Sequence, residues 1–189
     1  MSSHFFGQSS FSKYAVVKAR SVVKVGKDLP LASLAPLGCG IMTGAGGEFN
    51  IENSDLTILT NDFTAMLNVV KPHPESIVCI VGVGAVGLAA LMALKLLPSP
   101  PKKIIVVDVV PERLDLAKKY GATDFINSQQ VDNLKAALMS VSDEKGIDGT
   151  IDTTGRAEVV GSLLEATAKR GIVVQVGVGV VSAVLLLWD

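Results

Sequence analysis

Aromatic side chains are scarce, 5% of the 189 residues with a single tryptophan, yet hydrophobic residues reach 49%. An apolar interior built of Val, Ile, Leu and Ala suits a parallel sheet buried on both faces. Cysteine is scarcer still, and Cys39 and Cys79 are too few and too scattered for a disulfide framework. No sign of charge dominates. Seventeen basic and 18 acidic residues leave a net charge of −1 with no basic run, which removes the electrostatic case for nucleic acid or an anionic membrane. The opening MSSHFFGQSSFSKY has no long apolar segment after a basic start, so it is not read as a signal peptide, and a cytoplasmic location is expected. The most apolar run, Ile172–Trp188, holds Gln175, two glycines and Ser182. It is shorter than the ~20 residues of a membrane span and reads as a buried strand followed by a tail.

What is present is concentrated in Ile77–Asp108. An apolar run, Ile77-Val78-Cys79-Ile80-Val81, turns through Gly82-Val83-Gly84-Ala85-Val86-Gly87 into the apolar segment Leu88–Leu97. Prolines then break the chain, and Ile104-Ile105-Val106-Val107 ends on Asp108. The pattern predicts strand, glycine turn, helix, strand, acid. In that arrangement Gly82 permits the tight turn, Gly84 lets the backbone approach a pyrophosphate, and Gly87 lets helix and strand pack closely. The pyrophosphate would lie at the helix N-terminus, where N–H groups lack partners. Asp108 follows Gly87 by 21 residues (108 − 87), close to the ~20 expected of a carboxylate that grips a ribose. S-adenosylmethionine is the rival ligand, disfavoured because all three glycines are in place and no acid directly precedes Gly82.

Taken in order, Phe11–Val17 and Ser21–Val25 read as short strands with partial alternation. Leu31–Leu37 reads as a helical turn ending near Gly38. A lone cysteine is usually a small buried hydrophobe, so side-chain chemistry alone gives Cys39 little standing as a metal ligand. Residues 47–64 are polar and Asn-rich, a loop or an insertion. After Asp108, Pro111 and Gly121 punctuate a helix, Asp124–Asn127 reads as a strand, and Val131–Val141 carries helical spacing. Gly149–Asp152 is a fourth strand, Arg156–Arg170 an amphipathic helix stopped at Gly171, and Ile172–Val178 a fifth strand. Alternating strands and helices predict an α/β, Rossmann-type doubly wound parallel sheet in the order 3-2-1-4-5, with a ligand crevice at the carboxyl ends of its strands.

Several segments together resemble the cofactor-binding half of the zinc-dependent medium-chain alcohol dehydrogenases, and within them the aryl- or benzyl-alcohol branch. They are Phe6–Phe11, Gly38–Gly46, Val81–Leu88, Val107-Asp108, Tyr120–Thr123, Asp152–Gly155 and Val176–Val178. The resemblance implies roles residue by residue. Cys39 matches a catalytic-zinc cysteine, and Thr43 a threonine lying against the nicotinamide that takes part in the chemistry. Gly82, Gly84, Ala85, Val86 and Gly87 match the pyrophosphate turn. Asp108 matches the acid holding the adenosine ribose, and Arg113 a basic residue near it. Val176 and Val178, flanking Gly177, match backbone contacts to the nicotinamide carboxamide. NAD is expected over NADP, because Asp108 repels a 2′-phosphate and Val109 and Val110 supply no cation. A small alcohol or aldehyde is the implied substrate, with no nucleic-acid or membrane partner, and a homo-oligomer is an open expectation.

The same comparison implies departures. The remaining zinc ligands come, in the family, from a domain that would precede Met1, and His4 lies too far along to replace them. Residues 1–46 are then the remnant of a β-rich, GroES-like catalytic domain, 47–64 an insertion, 65–178 the NAD-binding domain and 179–189 an atypical tail. A truncated or mis-spliced, catalytically inactive product is expected, or else a non-catalytic NAD(H)-binding module.

Overall fold

The structure, a computed structural model, describes residues 13–45 and 65–178. The segment 47–64, the tail 179–189 and His4 lie outside them. The backbone divides into two compact units, residues 1–35 and 36–189. In the first, the described residues form a 3-10 turn at Ala19–Ser21 and a short helix α1, Leu31–Leu34, with no strand among them. The strands expected over Phe11–Val17 and Ser21–Val25 are therefore not formed where the chain is described. Two short strands need a sheet to join, and here Tyr14, Val16 and Val23 are exposed instead.

The second unit opens with a π-helical turn, Leu37–Ile41, which runs into α2, Met42–Ala45, so the helical path does not stop at Gly38. Another π-helical turn spans Ala65–Val70 and buries Met66 in the core. Then come β1 Ile77–Val81, α3 Ala85–Leu96, β2 Lys103–Asp108, α4 Pro111–Lys119, β3 Asp124–Asn127, α5 Leu134–Val141, β4 Ile147–Asp152, α6 Ala157–Glu165 and β5 Thr167–Gln175. All strand pairs are parallel, in the order β3-β2-β1-β4-β5. The predicted strand order is the observed one.

The unbroken apolar character of β1 has its reason in two layers. Val78 and Ile80 point to one face and meet Leu91 and Leu94 of α3 and Ala117 of α4. Ile77, Cys79 and Val81 point to the other and meet Leu138 of α5 and Leu163 of α6. Every residue of β1 is buried, and each such aliphatic side chain contributes on the order of 2 kcal/mol. Burial pushes the Cys79 thiol far above its ordinary range, with nearby Asp152 adding to the shift. Cys79 is thus packing material and no nucleophile.

Two boundaries differ from the periodicity. α5 begins at Leu134, where the Asn133 side chain accepts from Ala136 N–H at 2.9 Å. The helix expected over Arg156–Arg170 ends at Glu165, and β5 starts at Thr167. Backbone pairing with β4 overrides helical spacing there. Ile147 N–H donates to Ala166 O at 3.0 Å, Ile147 pairs with Thr167, and the register shifts before Gly149 meets Ile172.

Lys103 ties the start of β2 to the end of α5. Its ammonium donates to Val141 O at 2.6 Å and to both oxygens of Asp143 at 3.1 Å. That hydrogen bond holds the Asp143 carboxyl below its usual range. A lowered folded-state pKa means the contribution is present above the unfolded value and is lost as pH falls through the folded one. Asp143 is well exposed, so the effect is small. Urea unfolding of Asp143→Asn beside the unsubstituted chain should show a gap at neutral pH that closes as pH drops below about 4. A gap indifferent to pH contradicts this account.

Candidate functional site

The three glycines after β1 are not equivalent, and the structure separates them. Gly82 has φ +84°, and a Cβ there would stand 2.2 Å from Thr153 Oγ1. Gly87 lies in the first turn of α3, where a Cβ would stand 2.0 Å from Gly82 O. Both are glycines for internal packing. Gly84 is not. It has φ −81° and ψ −159°, extended backbone open to any residue, and a Cβ would meet no heavy atom within 4 Å. Gly84 is also the N-cap of α3, and no side chain caps it. The first N–H groups of a helix have no intrahelical partner, so Ala85, Val86 and Gly87 present donors beside a backbone kept bare. That is the arrangement an anionic pyrophosphate fills.

Asp108 ends β2 and is buried. Its Oδ2 accepts from Val83 N–H at 2.6 Å, and its Oδ1 accepts from Val109 and Val110 N–H at 2.8 and 2.9 Å. Arg113, half exposed on α4, places Nη1 3.7 Å from Oδ2. Gly82, Gly84, Asp108 and Arg113 line a cleft of about 690 Å³ at the carboxyl ends of β1, β2 and β4. That volume lies in the range of small-molecule sites.

The far wall of the cleft comes from the β4 end, which sequence reasoning left without roles. Asp152 is fully buried; it accepts from Thr154 N–H and Oγ1 at 3.0 and 2.6 Å and from Gly155 N–H at 2.9 Å. Thr153 lines the cleft and reaches the glycine turn. A threonine in a run Asp-Thr-Thr-Gly carries no signal of its own, because the contact depends on strand order. Val176 and Gly177 follow β5, and both N–H groups donate to Asp152 O, at 2.8 and 3.0 Å. Any ligand contact from Val176 must run through its carbonyl. Val178 is exposed beside them.

Comparison with known proteins bears on this geometry. The family model described as zinc-binding dehydrogenase matches residues 85–186, more than half of the chain. The chain belongs to the zinc-binding dehydrogenase family. The match runs beyond residue 178, where the resemblance read from sequence stops. Alcohol dehydrogenase 1 of Pisum sativum is 37% identical over 93% of this chain and 41% of its own length. The solved benzyl alcohol dehydrogenase of Acinetobacter calcoaceticus is 37% identical, with a TM-score of 0.77 over 98% of this chain and 45% of that one. A zinc-binding alcohol dehydrogenase domain protein from Burkholderia ambifaria reaches 36% and 0.75, over 95% and 42%. The chain thus spans about two fifths of the length of the curated relatives it matches.

Membership in a zinc-binding dehydrogenase family raises the question of metal. Cys39 is exposed, against the usual buried habit of a lone cysteine, and lies in the π-helical turn before α2. That segment packs on the start of α3. A Cβ at Gly40 would stand 3.3 Å from Ala85 Cβ, and one at Gly44 would stand 1.9 Å from Val86 O. Cys39 and half-buried Thr43 are thereby carried next to the glycine turn, though neither lines the cleft. Among the described residues no group of three His, Cys, Asp or Glu side chains gathers as a metal-binding set. A zinc site needs three or four ligands, so the described donors do not fit zinc. Also among the described residues, no helix is long and apolar enough to cross a membrane.

Proposed function

We propose that this chain is the NAD(H)-binding part of an alcohol dehydrogenase of the zinc type, serving oxidation of primary, aryl alcohols to aldehydes, and that by itself it binds the cofactor without turning over alcohol. The observation that carries the binding claim is Gly84, bare where nothing in the protein demands it. The uncapped start of α3, contributed by Ala85, Val86 and Gly87, holds the pyrophosphate. Asp108 takes the adenosine ribose hydroxyls, with Arg113 beside it. Thr43 and the backbone of Val176, Gly177 and Val178 orient the nicotinamide end. NAD, when bound, supplies the hydride acceptor. The aryl preference draws support from the likeness to a benzyl alcohol dehydrogenase. The non-catalytic reading draws support from Cys39, a single candidate ligand with no described companion. Two free cysteines fit a reducing, cytoplasmic setting.

Titration of the full chain with NADH and NADPH, followed by fluorescence, tests the proposal. NADH should bind more tightly by at least about tenfold, because the Asp108 carboxylate would repel a 2′-phosphate beside it. Addition of NAD, zinc and benzyl alcohol should produce no NADH. Equal affinities overturn the assignment of Asp108, and zinc-dependent NADH formation overturns the non-catalytic reading.

A further inference from the structure

Glycines that let a backbone approach a ligand also leave it free to take other shapes. The glycine turn of this chain is held from both neighbouring strands. On the β2 side, Val83 N–H donates to Asp108 Oδ2. On the β4 side, Thr153 Oγ1 lies 2.9 Å from Val81 O and 3.0 Å from Gly82 O, one hydroxyl proton shared between two carbonyls. Val81 O also accepts Thr153 N–H, so the hydroxyl matters most to Gly82 O. That carbonyl is the surface against which Gly87 rests. Its position therefore sets how the first turn of α3 meets the turn that precedes it.

We propose that Thr153 is a positioning residue of the dinucleotide site: its hydroxyl anchors the Gly82 carbonyl, so that the uncapped N–H groups of α3 stand ready for a pyrophosphate before the ligand arrives. The inference rests on the dinucleotide reading of the cleft. A hydroxyl placed on β4 thus acts on a ligand through the turn after β1. Its value is preorganisation, since binding then orders less backbone.

The test uses the 189-residue chain and two probes, NADH and adenosine, which lacks the pyrophosphate. Thr153→Val keeps the shape and removes the hydroxyl. It should weaken NADH about fivefold, the order of one net hydrogen bond, and leave adenosine affinity unchanged. Thr153→Ser should restore NADH binding. Thr153→Ala replaces the valine variant if the latter does not fold. The proposal is overturned if NADH affinity is unchanged, if NADH and adenosine weaken in proportion, or if serine fails to rescue. Absence of NADH binding by the unsubstituted chain instead overturns the dinucleotide reading, and this inference with it.

Discussion

Gly84→Val is expected to lower NADH affinity at least about a hundredfold while leaving the thermal midpoint within about 4 °C. The backbone at Gly84 is already extended, and valine adopts that conformation readily. A Cβ there would meet nothing within 4 Å, so no packing is lost and none is strained. The branched side chain would instead occupy the space above the first N–H groups of α3. Two charge-assisted hydrogen bonds to a pyrophosphate, each about 1.5–3 kcal/mol, would then be lost. Calorimetric titration alongside a thermal melt separates the outcomes. Wild-type affinity in the valine variant would place the pyrophosphate elsewhere, and a large fall in the midpoint would mean that Gly84 has a packing role the geometry does not show.

Gly87→Ala, by contrast, should lower the thermal midpoint. Alanine is the better helix former by about 1 kcal/mol, which alone would stabilise α3. The added Cβ, however, would stand 2.0 Å from Gly82 O and 3.2 Å from Ile80 Cγ2. The first of these is backbone, so the helix must back away from β1, where Leu91 and Leu94 are fully buried. Overpacking of this kind costs about 3 kcal/mol, and it outweighs the propensity gain. The net loss of about 2 kcal/mol corresponds to a fall of about 4–8 °C in the thermal midpoint. An unchanged midpoint would contradict the close approach of α3 to β1. Two glycines three residues apart are thus told apart by the thermal melt, which Gly84→Val should nearly spare and Gly87→Ala should not.

The contrast shows where sequence reasoning reached and where it stopped. The run from Ile77 to Asp108 was legible because local signals agreed: an apolar strand, a turn only glycine permits, a helix and a terminal acid. The strand order followed, since short crossovers between parallel strands leave few topologies. Past Glu165 the apolar spacing of Arg156–Arg170 still suits a helix, while the pairing of Thr167 with Ile147 on β4 is a long-range fact. The expected strands near the N-terminus failed for the same reason, since a strand exists only with a partner.

Asp108 shows the finer limit. Its spacing from Gly87 announced an acid at a strand end. Its bond to Val83 N–H needed β1 and β2 to be neighbours. Thr153 needed β1 beside β4 as well, and so the run Asp152–Gly155, though part of the family resemblance, gave it no role. Local patterning therefore decided the class of fold and the location of the glycine turn and the acid at the end of β2, because both follow from residues adjacent in the chain. Strand adjacency decided which side chains hold the turn in shape, because those contacts join residues about 25 to 72 positions apart.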